Sequence, residues 1–262
     1  AAALASGRFT PESVLPGPAE YDLPLSDRTL RNWTGEPCGP GGEVTLIEAL
    51  AQSCNTAFAW LGNELGADAL RTQSQAFGFD TAFNIPLRAS TSRFPDNPDA
   101  PQTAISAIGQ FDVRATALQM AMVAAGIGNN GIVMEPYLVQ ELRGPDLSIL
   151  RTTTASEFGA AMSSQNAADL IEMMVAVVER GTASVLRGVT TAEGQLVRVG
   201  AKTGTAQTSA DRPSVAWMVA LAPATNPQIA VAVVVEDGGQ NEISSNAIAG
   251  PIARAVIEAA LR

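Results

Sequence analysis

The end of the chain constrains the fold most. Three strand-like runs, LVRVGAKTGTAQ (Leu196–Gln207), VAWMVALAP (Val215–Pro223) and QIAVAVVVE (Gln228–Glu236), follow one another with short loops between them. The turn PATNPQ between the latter two allows an antiparallel hairpin. The closing segment, IAGPIARAVIEAALR, reads as a helix whose apolar stripe suits it to cover a sheet.

Upstream the pattern is different. Residues 8–42 are rich in Pro, Gly and turn residues and predict an ordered loop with short extended pieces. Thr45 precedes Glu48 at capping-box spacing, opening a helix through LIEALAQ. Beyond Ser53-Cys54-Asn55 the helical pattern resumes as TAFAWLGNEL, and another helix spans Ala67–Phe77, stopped by Gly78. Asp80–Thr103 reads as a long surface loop, Thr116–Ala125 as a helix, and IVMEPYLVQEL as extended. Ser163 and Ser164 are both N-cap candidates for QNAADLIEMMVAVVER, which Gly181 would end. Helices in the middle and an antiparallel sheet at the end make the class α+β.

Residue counts exclude whole function classes. The net charge is −10 with no basic cluster, which disfavours nucleic acid, because phosphates need several convergent cations. The chain has no histidine, which removes Ser-His-Asp and Cys-His catalysis and every His-ligated metal site. Its two cysteines cannot form a four-thiolate zinc site, so neither metal nor cofactor is expected. Proton transfer falls to Lys, Tyr, carboxylates, hydroxyls or water. No apolar run approaches the roughly 20 residues of a membrane span. The opening AAALASG lacks the basic region of an intact signal peptide.

Among the 16 basic residues one is a lysine, Lys202, and it sits on a strand that is otherwise apolar up to Thr203-Gly204-Thr205. A poorly solvated ammonium is costly and needs a reason. Thr203 and Thr205 share a face by the period of two, and Gly204 lets a ligand backbone approach. Such a strand could pair with an extended peptide and offer hydroxyls to its carboxylate. Taken alone, it is better read as an edge strand blunted by a lysine. Ser53-Cys54-Asn55, taken alone, is better read as a polar kink between helices.

Together, and in this order, Ser-x-Asn and Lys-Thr-Gly match two of the three signatures of the penicillin-recognising serine enzymes. AISAIGQFDVRATALQMAMVAAGIGNNGIVMEPYLV (Ala104–Val139), GTASVL from Gly181, ALAQSCNTAFAWLG and GPIARAVIEAAL extend the likeness over nearly the whole chain. The chain resembles the class B penicillin-binding proteins, in particular the actinobacterial penicillin-binding protein A group. It departs at Ala115-Thr116-Ala117, where the family commonly has Thr-Pro, a change that touches only a helix start.

The resemblance implies a penicillin-binding/β-lactamase-like transpeptidase fold, an antiparallel sheet flanked by helices plus a helical lobe. On that reading residues 1–262 are the C-terminal part of one transpeptidase domain. The helical lobe is mainly 43–180, and the sheet with its covering helix 181–262. The three terminal strands are then the latter three of a five-stranded sheet. The implied activity is that of a serine-type D,D-transpeptidase. It would cross-link peptidoglycan stem peptides ending in D-Ala-D-Ala through an acyl-serine and be acylated by β-lactams. By that resemblance Ser53 would relay a proton, Asn55 would hold the substrate amide, and Lys202 would supply positive potential. Thr203 and Thr205, flanking Gly204, would bind the carboxylate, and the Thr205 N–H would be half of an oxyanion hole. The loop Thr208–Ser214 is expected to border the cleft.

The family's nucleophile belongs to a Ser-x-x-Lys motif, which this chain lacks, since Val199 stands three residues before its lysine. In the family that motif opens a helix running into sequence like AAALASG. The expectation is therefore that Ser-x-x-Lys lies upstream, on a complementary N-terminal segment. The chain alone would be inactive, with Ala1 buried at the helical interface near the cleft. The expected location is the extracytoplasmic face of the membrane, with an N-terminal anchor outside this chain. Disulfides persist there, so Cys38 and Cys54 are expected to pair, two buried thiols being the alternative. Two other functional readings stay open. One is a non-catalytic penicillin-fold binding module. The other is a D,D-carboxypeptidase or β-lactamase of the superfamily, although no Glu-bearing loop of the class A β-lactamase kind is evident.

Overall fold

The computed structural model describes residues 1–206, 214–236 and 244–262. A short helix, α1 (Ala2–Ala5), buries Ala3 and Leu4, and the Pro/Gly-rich stretch after it forms short extended pieces, as its composition predicts. These are β1 (Val14–Pro16), the hairpin strands β2 (Glu20–Asp22) and β3 (Thr29–Arg31), and β4 (Glu43–Thr45), which returns antiparallel to β1. Helix α2 (Leu46–Gln52) starts on Thr45, whose side chain accepts the Glu48 N–H at 3.4 Å. The expected reciprocal cap is only half made, because the Glu48 carboxylate instead takes Arg180 Nε at 2.7 Å. Helices α3 (Asn55–Leu65) and α4 (Ala67–Ala76) follow.

The expected long loop from Asp80 is shorter than the sequence suggested. After the small hairpin β5 (Asn84–Ile85) and β6 (Leu87–Arg88), helix α5 (Ala100–Ala107) begins before the loop was expected to end. Asp99 and Gln102 make a full capping box around Pro101, a residue that the first turn tolerates because its missing N–H has no helical partner there. Thr116 caps α6 (Ala117–Gly128), so the departure from Thr-Pro leaves that helix intact. Strand β7 (Ile132–Met134) pairs with β10 (Glu157–Ala160), and β8 (Glu141–Arg143) with β9 (Ile149–Thr152), both antiparallel.

Of the two candidate caps, Ser163 serves α7 (Ser164–Glu179). This helix joins two cores. Leu170, Met173 and Met174 pack with Leu46, Ala49 and Leu61 of α2 and α3. One turn later Val177 and Val178 pack with Val199, Met218 and Ile257. The second core belongs to the terminal sheet, β11 (Gly200–Ala206), β12 (Val215–Ala222) and β13 (Ile229–Val235), in the order β11-β12-β13 and antiparallel throughout. Helix α8 (Ser245–Ala260) covers one face through Ala249, Ala253 and Ile257. Burying such aliphatic side chains contributes roughly 1.5–3 kcal/mol each for the larger ones, which is why α7 holds β11 firmly against α2.

Candidate active site

The site is built on a sharp corner. Helix α2 ends at Ser53, which adopts φ 59° and ψ 53°, while the Cys54 N–H closes the turn on the Ala49 carbonyl at 2.9 Å. Glycine is the usual residue in that left-handed conformation, and a serine there costs on the order of 1 kcal/mol. The neighbours enforce it. Cys54 is bonded to Cys38, as the resemblance implied, with Cα atoms 6.0 Å apart. Its sulfur therefore cannot cap α3, and Asn32 does so from a distance. Asn32 Oδ1 accepts the Thr56 N–H at 3.1 Å, while Nδ2 donates to the Pro18 and Glu36 carbonyls at 2.9 and 3.0 Å. At 5% exposure this amide is a buried staple between the 8–42 segment and the corner. Sequence reading missed it, since nothing in NWTG marks an asparagine that bonds 24 residues ahead.

Strand β11 meets the corner from the other side. Lys202 Nζ donates to Ser53 Oγ at 2.8 Å and to the Thr203 carbonyl at 2.7 Å. Burial pushes this ammonium down to about 8 from its ordinary 10.5. The lysine stem curls back along its own strand, so that Nζ reaches the carbonyl of the next residue, Thr203, as well as the corner. Thr203 Oγ1 lies 2.6 Å from Thr182 Oγ1, and Thr205 Oγ1 lies 2.8 Å from Ser245 Oγ. Gly204 pairs with Trp217, whose Cβ would stand 3.3 Å from an added Cβ, so packing within the sheet also favours a small residue there.

Asn55 is placed differently. It begins α3 two residues past Ser53, and its Nδ2 donates to the Arg31 carbonyl at 3.2 Å. Among the described residues no hydrogen bond joins it to Ser53 or Lys202. Ala1 lines a small cavity with Leu46 and Leu50 of α2 and Phe58 of α3, the two helices that form the corner. The loop Thr208–Ser214 lies outside the described residues except for Ser214.

Thr182 and Ser245 are the hydroxyl neighbours of the two threonines; Thr182 lies in the GTASVL segment, and Ser245 in no motif. Thr182 belongs to the stretch leaving α7, which crosses α2 closely enough that a Cβ on Gly181 would collide with the Ala51 carbonyl. The Thr182 N–H donates to that same carbonyl at 3.1 Å. The cluster thus offers one ammonium, three threonine hydroxyls and two serine hydroxyls, a set suited to holding an anion and relaying a proton.

The sequence profile of the penicillin binding protein transpeptidase domain matches residues 1–258. The peptidoglycan D,D-transpeptidase PbpA of Mycolicibacterium smegmatis is 46% identical over 269 residues, covering 100% of this chain and 53% of that protein. PbpA of Mycobacterium tuberculosis is 43% identical over 267 residues, with the same coverage of 100% and 53%. The structure of penicillin-binding protein A from M. tuberculosis as a ceftriaxone acyl-enzyme complex superposes with a TM-score of 0.93 at 42% identity. That match covers 100% of this chain and 58% of the other. The chain spans about half the length of the curated relatives it matches.

Proposed function

This chain belongs to the transpeptidase domain family of penicillin-binding proteins, and from that membership we propose that it carries the recognition and proton-relay half of a D,D-transpeptidase site. The substrate is a peptidoglycan stem peptide ending in D-Ala-D-Ala, and β-lactams acylate the same site. The observation that supports this best is the bond between Lys202 Nζ and Ser53 Oγ, which ties two motifs 149 residues apart into one cleft.

The nucleophile is a serine of a Ser-x-x-Lys motif outside these 262 residues. That serine attacks the carbonyl of the D-Ala-D-Ala bond, and the terminal D-alanine leaves with a proton relayed through Ser53. The amine of a second stem peptide then attacks the acyl-serine, forming the cross-link and freeing the serine. Lys202 supplies positive potential for the substrate carboxylate, and Thr203 and Thr205 beside Gly204 bind it. Asn55 turns its amide to the substrate backbone, exchanging its bond to Arg31. The Thr205 N–H and the nucleophile's own N–H hold the oxyanion, one such donor contributing roughly 3 kcal/mol. The helical part, 43–180, and the sheet part, 181–262, are the two walls of the cleft. The site works on the extracytoplasmic side, with an anchor outside this chain; among the described residues no helix is long and apolar enough to cross a membrane.

Fluorescent penicillin tests the proposal. The full-length protein should be labelled covalently, and Lys202→Ala should abolish labelling without unfolding it. The isolated 262-residue chain should stay unlabelled. Wild-type labelling of the Lys202→Ala variant would remove that lysine from the mechanism, and specific labelling of the isolated chain would place the nucleophile within it.

A further inference from the structure

The two hydroxyls of β11 are not equivalent. We propose that Thr182 and Ser245 are positioning residues with opposite effects. Thr182 frees the Thr203 proton for the substrate carboxylate, whereas Ser245 draws the Thr205 proton away from it. The inference rests on the reading of β11 as the carboxylate-binding strand, and it names which hydroxyl recognises the anion first.

The argument is a count of protons. A hydroxyl has one proton to donate and two lone pairs to accept with. A carboxylate only accepts, so each threonine that binds it must direct its single proton there. Thr203 Oγ1 also lies 2.6 Å from Thr182 Oγ1, a distance that requires one of the two protons. When Thr203 donates to an anion, Thr182 must therefore be the donor in that contact. Among the described residues the Thr182 hydroxyl has no other partner competing for its proton. A Thr203 that accepts from Thr182 is also a better donor, because chained hydrogen bonds polarise one another.

Ser245 imposes the reverse. Its Oγ, 3% exposed as a residue at the start of α8, donates to the Gly204 carbonyl at 2.6 Å. That carbonyl cannot donate, so the Ser245 proton is committed to it. The 2.8 Å contact with Thr205 is then a hydrogen bond only if Thr205 donates, which turns its proton toward α8. Thr205 consequently meets a carboxylate with a lone pair until that bond breaks.

The placement of Thr182 is fixed by its backbone. Its N–H donates to Ala51, within the helix that ends at Ser53, and the next N–H, from buried Ala183, donates to the Val177 carbonyl of α7 at 3.0 Å. The corner and β11 are thus linked twice, by Ser53 to Lys202 and by Ala51 through Thr182 to Thr203.

The test compares acylation rates of the full-length protein for a penicillin and for its methyl ester, which lacks the anion. Thr182→Val should slow acylation by the free acid by about tenfold and leave the ester rate at its wild-type value. Thr182→Ser should restore the acid rate, and Thr205→Val should cost less than Thr203→Val. An unchanged acid-to-ester ratio in Thr182→Val, or an equal loss on both compounds, would overturn the inference, the latter by showing a structural role. Thr203→Val separates the two layers. If it leaves the ratio unchanged, the reading of β11 itself falls and the inference with it. If it collapses the ratio while Thr182→Val does not, only the inference fails.

Discussion

Cys54 is both the middle residue of the Ser53-Cys54-Asn55 corner and one end of the bond to Cys38, 16 residues earlier. The covalent link therefore ends on the backbone that holds Ser53 in its left-handed conformation. A closed loop of this length stabilises the fold by roughly 3 kcal/mol through the unfolded chain. Replacing both cysteines with alanine should lower stability by about that amount and also slow β-lactam acylation, because Ser53 loses a constraint. Urea denaturation and acylation rates would check the two effects. Lost stability with an unchanged acylation rate would show that the bond serves the fold and leaves the corner alone.

Asn32 should matter as much as the disulfide. Replacing it with alanine leaves the Thr56 N–H without a partner in a site that is 5% exposed and the Glu36 carbonyl with only the long 3.5 Å bond from Thr34, while the Pro18 carbonyl keeps the Thr56 hydroxyl at 2.7 Å. The expected cost is about 2–3 kcal/mol, the range for stranding buried polar groups. Asn32→Asp keeps the acceptor for Thr56 and removes both donors, so it should recover only part of the loss. Equilibrium unfolding of the two variants decides it, and a cost for Asn32→Ala near zero would mean that the staple is idle.

The depressed Lys202 gives two pH effects of opposite sign. The folded chain holds this ammonium down to about 8 against 10.5 when unfolded, so between those values the unfolded state binds more protons. Stability therefore carries a constant penalty below pH 8, relieved as pH rises from about 8 to about 10.5. On the proposed role, anion recognition needs the ammonium and should fade earlier, as pH rises through about 8. Lys202→Met should flatten the stability rise relative to wild type, measured by melting across pH 7 to about 11. Parallel curves for the two proteins would show that the lysine titrates normally.

The sequence disclosed what local pattern can encode. The three terminal strands, their antiparallel order and the covering helix follow from runs of Val, Ile and Ala with short turns between them. The corner and the lysine strand were legible as motifs, and the resemblance joined them. Helix α5 was hidden because Asp99 and Pro101 read as loop, although Asp99 caps the helix and Pro101 sits in its first turn. Asn32, Thr182 and Ser245 were hidden for another reason. Their partners lie 24, 21 and 40 residues away, and a polar residue that bonds across such distances looks, in sequence, like any other surface Asn, Thr or Ser.

Two glycines beside the site should respond differently to the same substitution. At Gly181 an added Cβ collides with the Ala51 carbonyl, a backbone atom of α2 that cannot swing aside. Relief requires α2 and the stretch leaving α7 to separate, which also withdraws Thr182 from Thr203. Gly181→Ala should therefore cost about 3 kcal/mol, the upper end for overpacking. At Gly204 the obstacle is the Trp217 Cβ at 3.3 Å, which needs to yield only a few tenths of an ångström. Gly204→Ala should cost less than about 1 kcal/mol, and alanine also loses less backbone freedom on folding than glycine. Urea titrations of the two variants would measure both costs on one scale. Equal costs would show that the crossing of α7 over α2 is loose, and the second link from the corner to β11 would lose its physical basis.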